Sequence, residues 1–330
     1  MNRWFQKLAL STTATTYLLI LVGALVRASG AGMGCPDWPR CFDRWIPPTQ
    51  LSDVPAALAP YFNVRLAWTE YLNRVLGTLT GFLIFGTLVA AVVSYRRNTR
   101  VVASSVGAFI GVGLAGWLGK RVVQHNLEPA LVTVHMFVAL AVVSLLIFAT
   151  VSSYENTDGF RRDDEPLSDA RRQLTAATLG TTALLMVQIA VGTRVRASIE
   201  LVSRAHHELS RGDWLSHIGS LDGVHRTLAL VVVAAIIGLA WFVRRHVDPH
   251  PTLRTLSGLL VVGVVAQIAA GVGLAYASLP PALQVVHVTI GSLLLGGLIT
   301  LAMLSIRLTV AGAEGSRSVA GEAPALRATS

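Results

Sequence analysis

The amino-acid sequence predicts an all-α membrane protein of eight transmembrane helices, arranged as two pseudo-symmetric four-helix bundles. Three observations carry that prediction. Only 14% of the 330 residues are charged, against about 25% in a soluble domain, and the mean hydropathy is +0.58. Eight apolar runs approach or exceed the roughly 20 residues needed to cross a bilayer. Short motifs that include ionisable residues recur in the same order in the two halves of the chain. Backbone groups in lipid must be bonded within their own segment, so the runs are helices, and the absence of strand-like alternation excludes an outer-membrane barrel.

The runs are taken in order. The first, 8–27, follows Arg3 and Lys7 and resembles a signal peptide, but its apolar stretch exceeds the usual 7–15 residues. It ends in Gly23-Ala24-Leu25-Val26-Arg27-Ala28-Ser29. The second, 70–94, opens on Glu70-Tyr71-Leu72-Asn73-Arg74, the third, 101–119, contains Gly111-Val112-Gly113-Leu114-Ala115, and the fourth, 129–151, carries His135. The fifth, 173–193, leads into Gly192-Thr193-Arg194-Val195-Arg196-Ala197-Ser198, which matches the end of the first at five of seven positions. The sixth, 224–243, begins in Asp222-Gly223-Val224-His225-Arg226. The seventh, 255–277, repeats the glycine motif as Gly271-Val272-Gly273-Leu274-Ala275, and the eighth, 283–307, carries His287. This divides the chain into an N-terminal half, 1–151, a cytoplasmic linker, 152–172, a C-terminal half, 173–307, and a tail, 308–330, whose Ala, Gly, Ser and charge content predicts disorder. Four helices per half give both halves the same orientation.

The net charge of +9 does not point to nucleic acid, because the arginines sit at run ends rather than along one basic face. Arg96, Arg97, Arg100, Arg161, Arg162, Arg171, Arg172, Arg244, Arg245, Arg254 and Arg307 join Arg3 and Lys7 on one side, which places both termini in the cytoplasm. Arg40, Arg44, Lys120, Arg121, Arg204 and Arg211 fall on the other side. Cys35 and Cys41 are the only cysteines. Both lie in the first outer loop, where an oxidising compartment favours a disulfide. A structural staple and a labile redox pair both stay open. Zinc is disfavoured with two thiols and no nearby histidine.

Ionisable residues in spanning helices are candidates for function. Of the nine histidines, His206, His207, His217, His246 and His250 fall in loops or at run ends, and His125 in the third outer loop. His135, His225 and His287 lie within about two turns of the outer start of an even-numbered run, hence at one depth. His225 and His287 suit axial ligation of haem iron between facing helices. The equivalent pair in the first half is Asn73 and His135. An amide is a poor iron ligand, so that pocket is the more open one, as a substrate requires. Glu70 is one turn before Asn73 on the same face. It reads either as a helix-start carboxylate favoured by the dipole or as an acid/base or charge-stabilising group. Arg27, Arg74, Arg196 and Arg226 read as interfacial arginines or as partners of haem propionates.

These residues resemble the haem A synthase family. The likeness rests on Gly23-Ala24-Leu25-Val26-Arg27, the Cys35-Pro36-Asp37-Trp38-Pro39-Arg40-Cys41 loop, Glu70, His135, His225-Arg226 and His287. It spans roughly residues 1–307. The resemblance implies oxidation of a methyl group of haem O to a formyl group, by successive oxygen-dependent hydroxylation and loss of water, giving haem A for terminal oxidases. It implies a haem b held by His225 and His287 as cofactor, haem O as substrate beside His135 and Asn73, a catalytic Glu70, and a Cys35–Cys41 disulfide. Asn73 stands where the family usually has histidine. The implied location is a bacterial cytoplasmic (inner) membrane. The implied partners are haem O, the haem O synthase that supplies it, a membrane electron donor and lipid, with a homo-oligomer left open. The main rival is a bis-histidine b-type cytochrome confined to electron transfer, which would keep histidine pairs in both halves. A transporter is disfavoured because the polar residues gather at one face rather than at the midplane.

Overall fold

The computed structural model describes residues 3–154, 168–247 and 250–307. Arg161, Arg162, most of the expected linker and the expected disordered tail lie outside the described residues. Eight helices long and apolar enough to cross a membrane are present: α1 (Arg3–Ala28), α2 (Val64–Ser94), α3 (Thr99–Gln124), α4 (Pro129–Ser152), α5 (Asp169–Ala205), α6 (Ser220–His246), α7 (Pro251–Tyr276) and α8 (Pro281–Arg307). No strand occurs among the described residues. Asn63, Asn98 and Ser168 cap α2, α3 and α5 through their side chains, each satisfying one of the N–H groups left free at a helix start.

In each half, consecutive helices pack together and the last closes back on the first: α4 on α1, and α8 on α5. The halves meet where α1 and α4 pack on α8, with a slighter contact between α4 and α5. The perimeter is apolar, with Phe82, Leu230, Val262 and Val93 largely exposed, while Thr12, Thr16, Thr80, Thr87, Thr178 and Ser305 are buried. This inside-out distribution belongs to a chain whose surroundings are lipid, where close packing and interhelical hydrogen bonds replace the hydrophobic effect between helices. Thr12 and Thr87 join α1 to α2 through their hydroxyls at 2.9 Å, and Thr175 and Ser305 join α5 to α8 at 2.7 Å. Across the seam, the Tyr17 hydroxyl donates to the Ser292 carbonyl at 3.3 Å. A Cβ on Gly296 would lie 1.9 Å from that hydroxyl oxygen, so glycine is what lets α1 and α8 approach here.

Two expected boundaries are corrected. α2 begins at Val64, so Glu70 lies nearly two turns inside the helix. The dipole account of Glu70 fails, since that effect fades within the first turn. α5 runs to Ala205, past the expected end at 193. Residues 194–205 carry no glycine or proline, and Glu200 pairs with Arg204 one turn on at 2.5 Å, so the helix continues beyond its apolar stretch. Arg196 is therefore inside α5 rather than at its end.

The internal repeat is corrected as well. α3 and α4 map onto α7 and α8 by a shift of 152 residues: Thr99 falls on Pro251, Gln124 on Tyr276, and Pro129 on Pro281. The turns agree, with left-handed Asn126 and Leu127 answering left-handed Ser278 and Leu279. In this register Gly111 corresponds to Gly263 and Gly119 to Gly271. A Cβ on Gly111 would meet Val142 and one on Gly263 would meet Leu294, and 142 and 294 are themselves related by the same shift. The match of Gly111–Ala115 with Gly271–Ala275 is thus about two helical turns out of register. Small residues recur so often in spanning helices that a five-residue glycine motif aligns at more than one phase.

Candidate functional site

The four positions singled out on the even-numbered helices share one environment. Each faces a glycine on the helix before it. A Cβ on Gly23 of α1 would lie 3.9 Å from Asn73 Oδ1 of α2, and one on Gly119 of α3 would lie 3.6 Å from His135 Cε1 of α4. A Cβ on Gly192 of α5 would lie 3.0 Å from His225 Cε1 of α6, and one on Gly271 of α7 would lie 3.3 Å from His287 Cε1 of α8. The glycines make room for flat side chains turned into each bundle, at the end that carries the disulfide loop.

His225 and His287 face each other with ring centres 6.5 Å apart and planes inclined by 57°. A metal–imidazole bond of about 2.0–2.1 Å, plus roughly 1.2 Å from ring nitrogen to ring centre, sets two rings flanking one metal ion about 6.4–6.6 Å apart. The observed separation is one at which both rings could hold a single iron between them. The polar atoms fit it too. Nδ1 of both His135 and His287 is buried without a hydrogen-bond partner, as is Oδ1 of Asn73. His135 and His287 face the backbone carbonyls of Ala115 and Gln267, which are equivalent by the 152-residue shift. No group of three or more His, Cys, Asp or Glu side chains suited to a metal ion occurs among the described residues.

In the first half the disulfide loop lies on α2. Cys35 and Cys41 are bonded and fully buried, with Phe42, Val54 and Ala67 packed around them. Glu70, 4% exposed, accepts the backbone N–H of Cys35 at 2.8 Å and pairs with Arg74 at 2.5 Å. Arg74 also donates to the carbonyls of Asp37 at 2.8 Å, Arg40 at 2.9 Å and Cys35 at 3.3 Å. Its guanidinium is engaged by the loop and by Glu70 rather than turned toward the Asn73 pocket. Asp37 accepts the N–H groups of Phe42 and Asp43 at 2.7 and 3.0 Å, and Lys120 of α3 stacks over Trp38 at 5.4 Å. The loop is thereby fixed by α2 below and α3 beside it.

Gly34 shows how tightly. A Cβ there would fall 2.3 Å from the Leu66 carbonyl oxygen and 2.9 Å from the Ala67 nitrogen, and backbone atoms inside a helix cannot yield. Gly34→Ala is expected to lift the loop, break the Cys35 N–H bond to Glu70 and cost about 1–3 kcal/mol, as overpacking does. A lower Tm in detergent, measured beside the unsubstituted protein, checks this, and an unchanged Tm contradicts it.

The remaining arginines occupy one level. Arg27 pairs with Glu200 at 3.1 Å, and Arg204 pairs with the other oxygen of the same carboxylate. Arg196 is within electrostatic reach of Arg27, Glu200 and Arg211. Glu200, absent from the sequence reading, is the shared counter-ion between α1 and α5. Arg226 pairs with Asp222 at 2.6 Å and lies over the ring of Tyr276 at 6.0 Å, so Asp222–Arg226 repeats Glu70–Arg74 at the same helical spacing.

The fold and site together define a polytopic α-helical membrane protein with two related, unequal pockets: one flanked by two histidines, the other by an asparagine and a histidine. Residues 6–299 match the family described as COX15-CtaA, cytochrome oxidase assembly protein, and the chain belongs to that family. It is 26% identical over 323 residues to a protein named Heme A synthase from Shewanella oneidensis, covering 88% of this chain and 93% of the relative. It is 23% identical over 327 residues to a Heme A synthase from Geobacillus kaustophilus, covering 97% and 96%.

Proposed function

We propose that this chain is a haem A synthase, which oxidises a ring methyl of haem O to the formyl group of haem A for terminal oxidases. The carrying observation is that relatives bearing that name align with 88–97% of the chain. The unequal pockets support the reading: a closed histidine pair suits a resident cofactor, and the open Asn73 and His135 pocket suits a substrate. The protein sits in the bacterial cytoplasmic membrane with both termini in the cytoplasm, consistent with the arginine distribution.

His225 and His287 hold a haem b, which when bound supplies reversible one-electron transfer. Glycines 192 and 271 leave space for the two rings, and Arg196 and Arg226 lie one turn from Gly192 and beside His225 to pair with propionates. In the first half His135 holds haem O, and Asn73 leaves the opposite side open. Each of two hydroxylations consumes O2, two electrons from a membrane donor and two protons, one oxygen atom entering the substrate and the other leaving as water. The methyl becomes a hydroxymethyl and then a geminal diol, which loses water to give the aldehyde. Glu70 is the acid/base or charge-stabilising group of this half, and the disulfide loop fixes its position. Haem O arrives from the synthase that makes it.

Co-expression with a source of haem O, followed by acid extraction of the pigments, tests the reading. Haem A is expected when the intact chain is present and not when it is omitted. Haem O alone, with the intact chain and an electron supply, would sink the synthase and favour a cytochrome confined to electron transfer.

A further inference from the structure

The segment between α5 and α6, residues 206–219, roofs the histidine pair. Its short helical turn (Trp214–Ile218) brings Trp214 into one cluster with Val195 and Ile199 of α5, Leu221 of α6, Leu274 of α7 and Leu279 of the turn before α8. The four helix positions lead down to the rings. Val195 and Ile199 follow Gly192 by three and seven residues, Leu274 follows Gly271 by three, and Leu221 precedes His225 by four, so they share the faces on which the histidines and their glycines sit. By helical rise they lie about 5–10 Å farther out. A Cβ on Gly212 would come 3.3 Å from Ser278 Oγ, so the segment reaches across to the α7–α8 turn. Trp214 is half-buried in this roof, and its indole nitrogen is buried with no hydrogen-bond partner. An indole N–H can only donate, and a buried one usually finds an acceptor. Here the side chains packed around it are apolar. Arg211 lies over the ring at 5.7 Å and within electrostatic reach of Arg196, so the surroundings favour an anion as the missing acceptor. In the register that sets Glu70 against Asp222, Trp214 corresponds to Phe62, which packs in the roof of the first half with Phe42 and Val54. An aromatic ring fills both places, and only the half with two histidines adds an N–H.

We infer that Trp214 is a haem-binding residue of the second half, its indole N–H donating to a propionate carboxylate of the haem held by His225 and His287; this rests on the ligand reading above. A macrocycle held between the two rings stands across the line that joins them. With its carboxylate edge toward the outer face, it meets the level of Arg196 and the roof. A carboxylate accepts from a neutral N–H in a charge-assisted bond, and it supplies the acceptor that the roof itself lacks.

The test is the rate at which the purified, haem-loaded full chain gives up its b-type haem to excess apomyoglobin. Trp214→Phe keeps an aromatic ring, as the first half has at Phe62, and removes the donor. It is expected to lose haem about tenfold faster, the weight of one hydrogen bond to a charged group, with the low-spin spectrum unchanged. Trp214→His, which keeps a ring N–H, is expected to lose haem more slowly than Trp214→Phe. In the haem-free His287→Ala background, Trp214→Phe is expected to leave Tm unchanged, because there the N–H has no bond to lose, whereas a packing role would lower it. An unchanged rate in Trp214→Phe, equally fast loss from both variants, or an equal fall in Tm with and without haem overturns the inference. If Trp214→Phe does not fold, Trp214→His decides: haem loss within about a factor of ten of the unsubstituted rate supports the bond, and faster loss refutes it. If the unsubstituted protein holds no low-spin b-type haem, the ligand reading itself has failed, and that outcome is visible before any variant is made.

Discussion

His287→Ala or His225→Ala is expected to remove the low-spin b-type spectrum from the purified protein, whereas His135→Ala is expected to leave it intact and to stop haem A formation. The contrast follows from the geometry. His225 and His287 face each other across 6.5 Å, so under the proposed ligation removing either ring would leave the iron with one protein ligand. Loss of an outer-shell partner costs about 10–100-fold in metal affinity, and loss of a ligand costs at least that much. His135 faces Gly119 in the other half and has no part in that site. Haem content per protein, read from the pyridine haemochrome spectrum, checks the second-half variants. Pigment extraction checks His135→Ala. A full haem b spectrum in both His225→Ala and His287→Ala would refute the assignment.

The eight helices were legible because a lipid-facing helix must be apolar over its whole length, and this signal does not depend on which neighbours it packs against. The ends of helices were less so. Composition marks where the apolar stretch stops, but α2 starts six residues before Glu70 and α5 runs on to Ala205, because caps and ion pairs such as Asn63 and Glu200–Arg204 extend helices into polar surroundings. Repeat register was legible where it rested on Glu70 and Asp222, Arg74 and Arg226, or His135 and His287, all separated by 152. It failed at Gly111, where the letters are common and carry no phase. What the histidines face was not legible at all, since glycines 23, 119, 192 and 271 are scattered among the other glycines of the chain.

Glu70→Gln is expected to abolish haem A formation while leaving the haem b spectrum and the disulfide in place and lowering Tm less than Glu70→Ala does. The amide oxygen can still accept the Cys35 N–H, so the loop stays in place. The charge, its ion pair with Arg74 and the transferable proton are lost, and an acid/base group contributes roughly 10²–10⁴ to a rate. Glu70→Ala removes the acceptor as well. It leaves the buried Cys35 N–H and the Arg74 guanidinium with one partner fewer, at about 1–3 kcal/mol for an unpaired buried group. The two substitutions therefore separate the roles that the geometry combines. If Glu70 serves only to hold the disulfide loop, Glu70→Gln retains activity, Glu70→Ala loses it, and the catalytic reading fails. If Glu70 acts on the substrate haem, both are inactive, and Glu70→Ala lowers Tm the more. The location favours the second outcome: the carboxylate is one turn from Asn73 on the same face of α2, beside the open pocket.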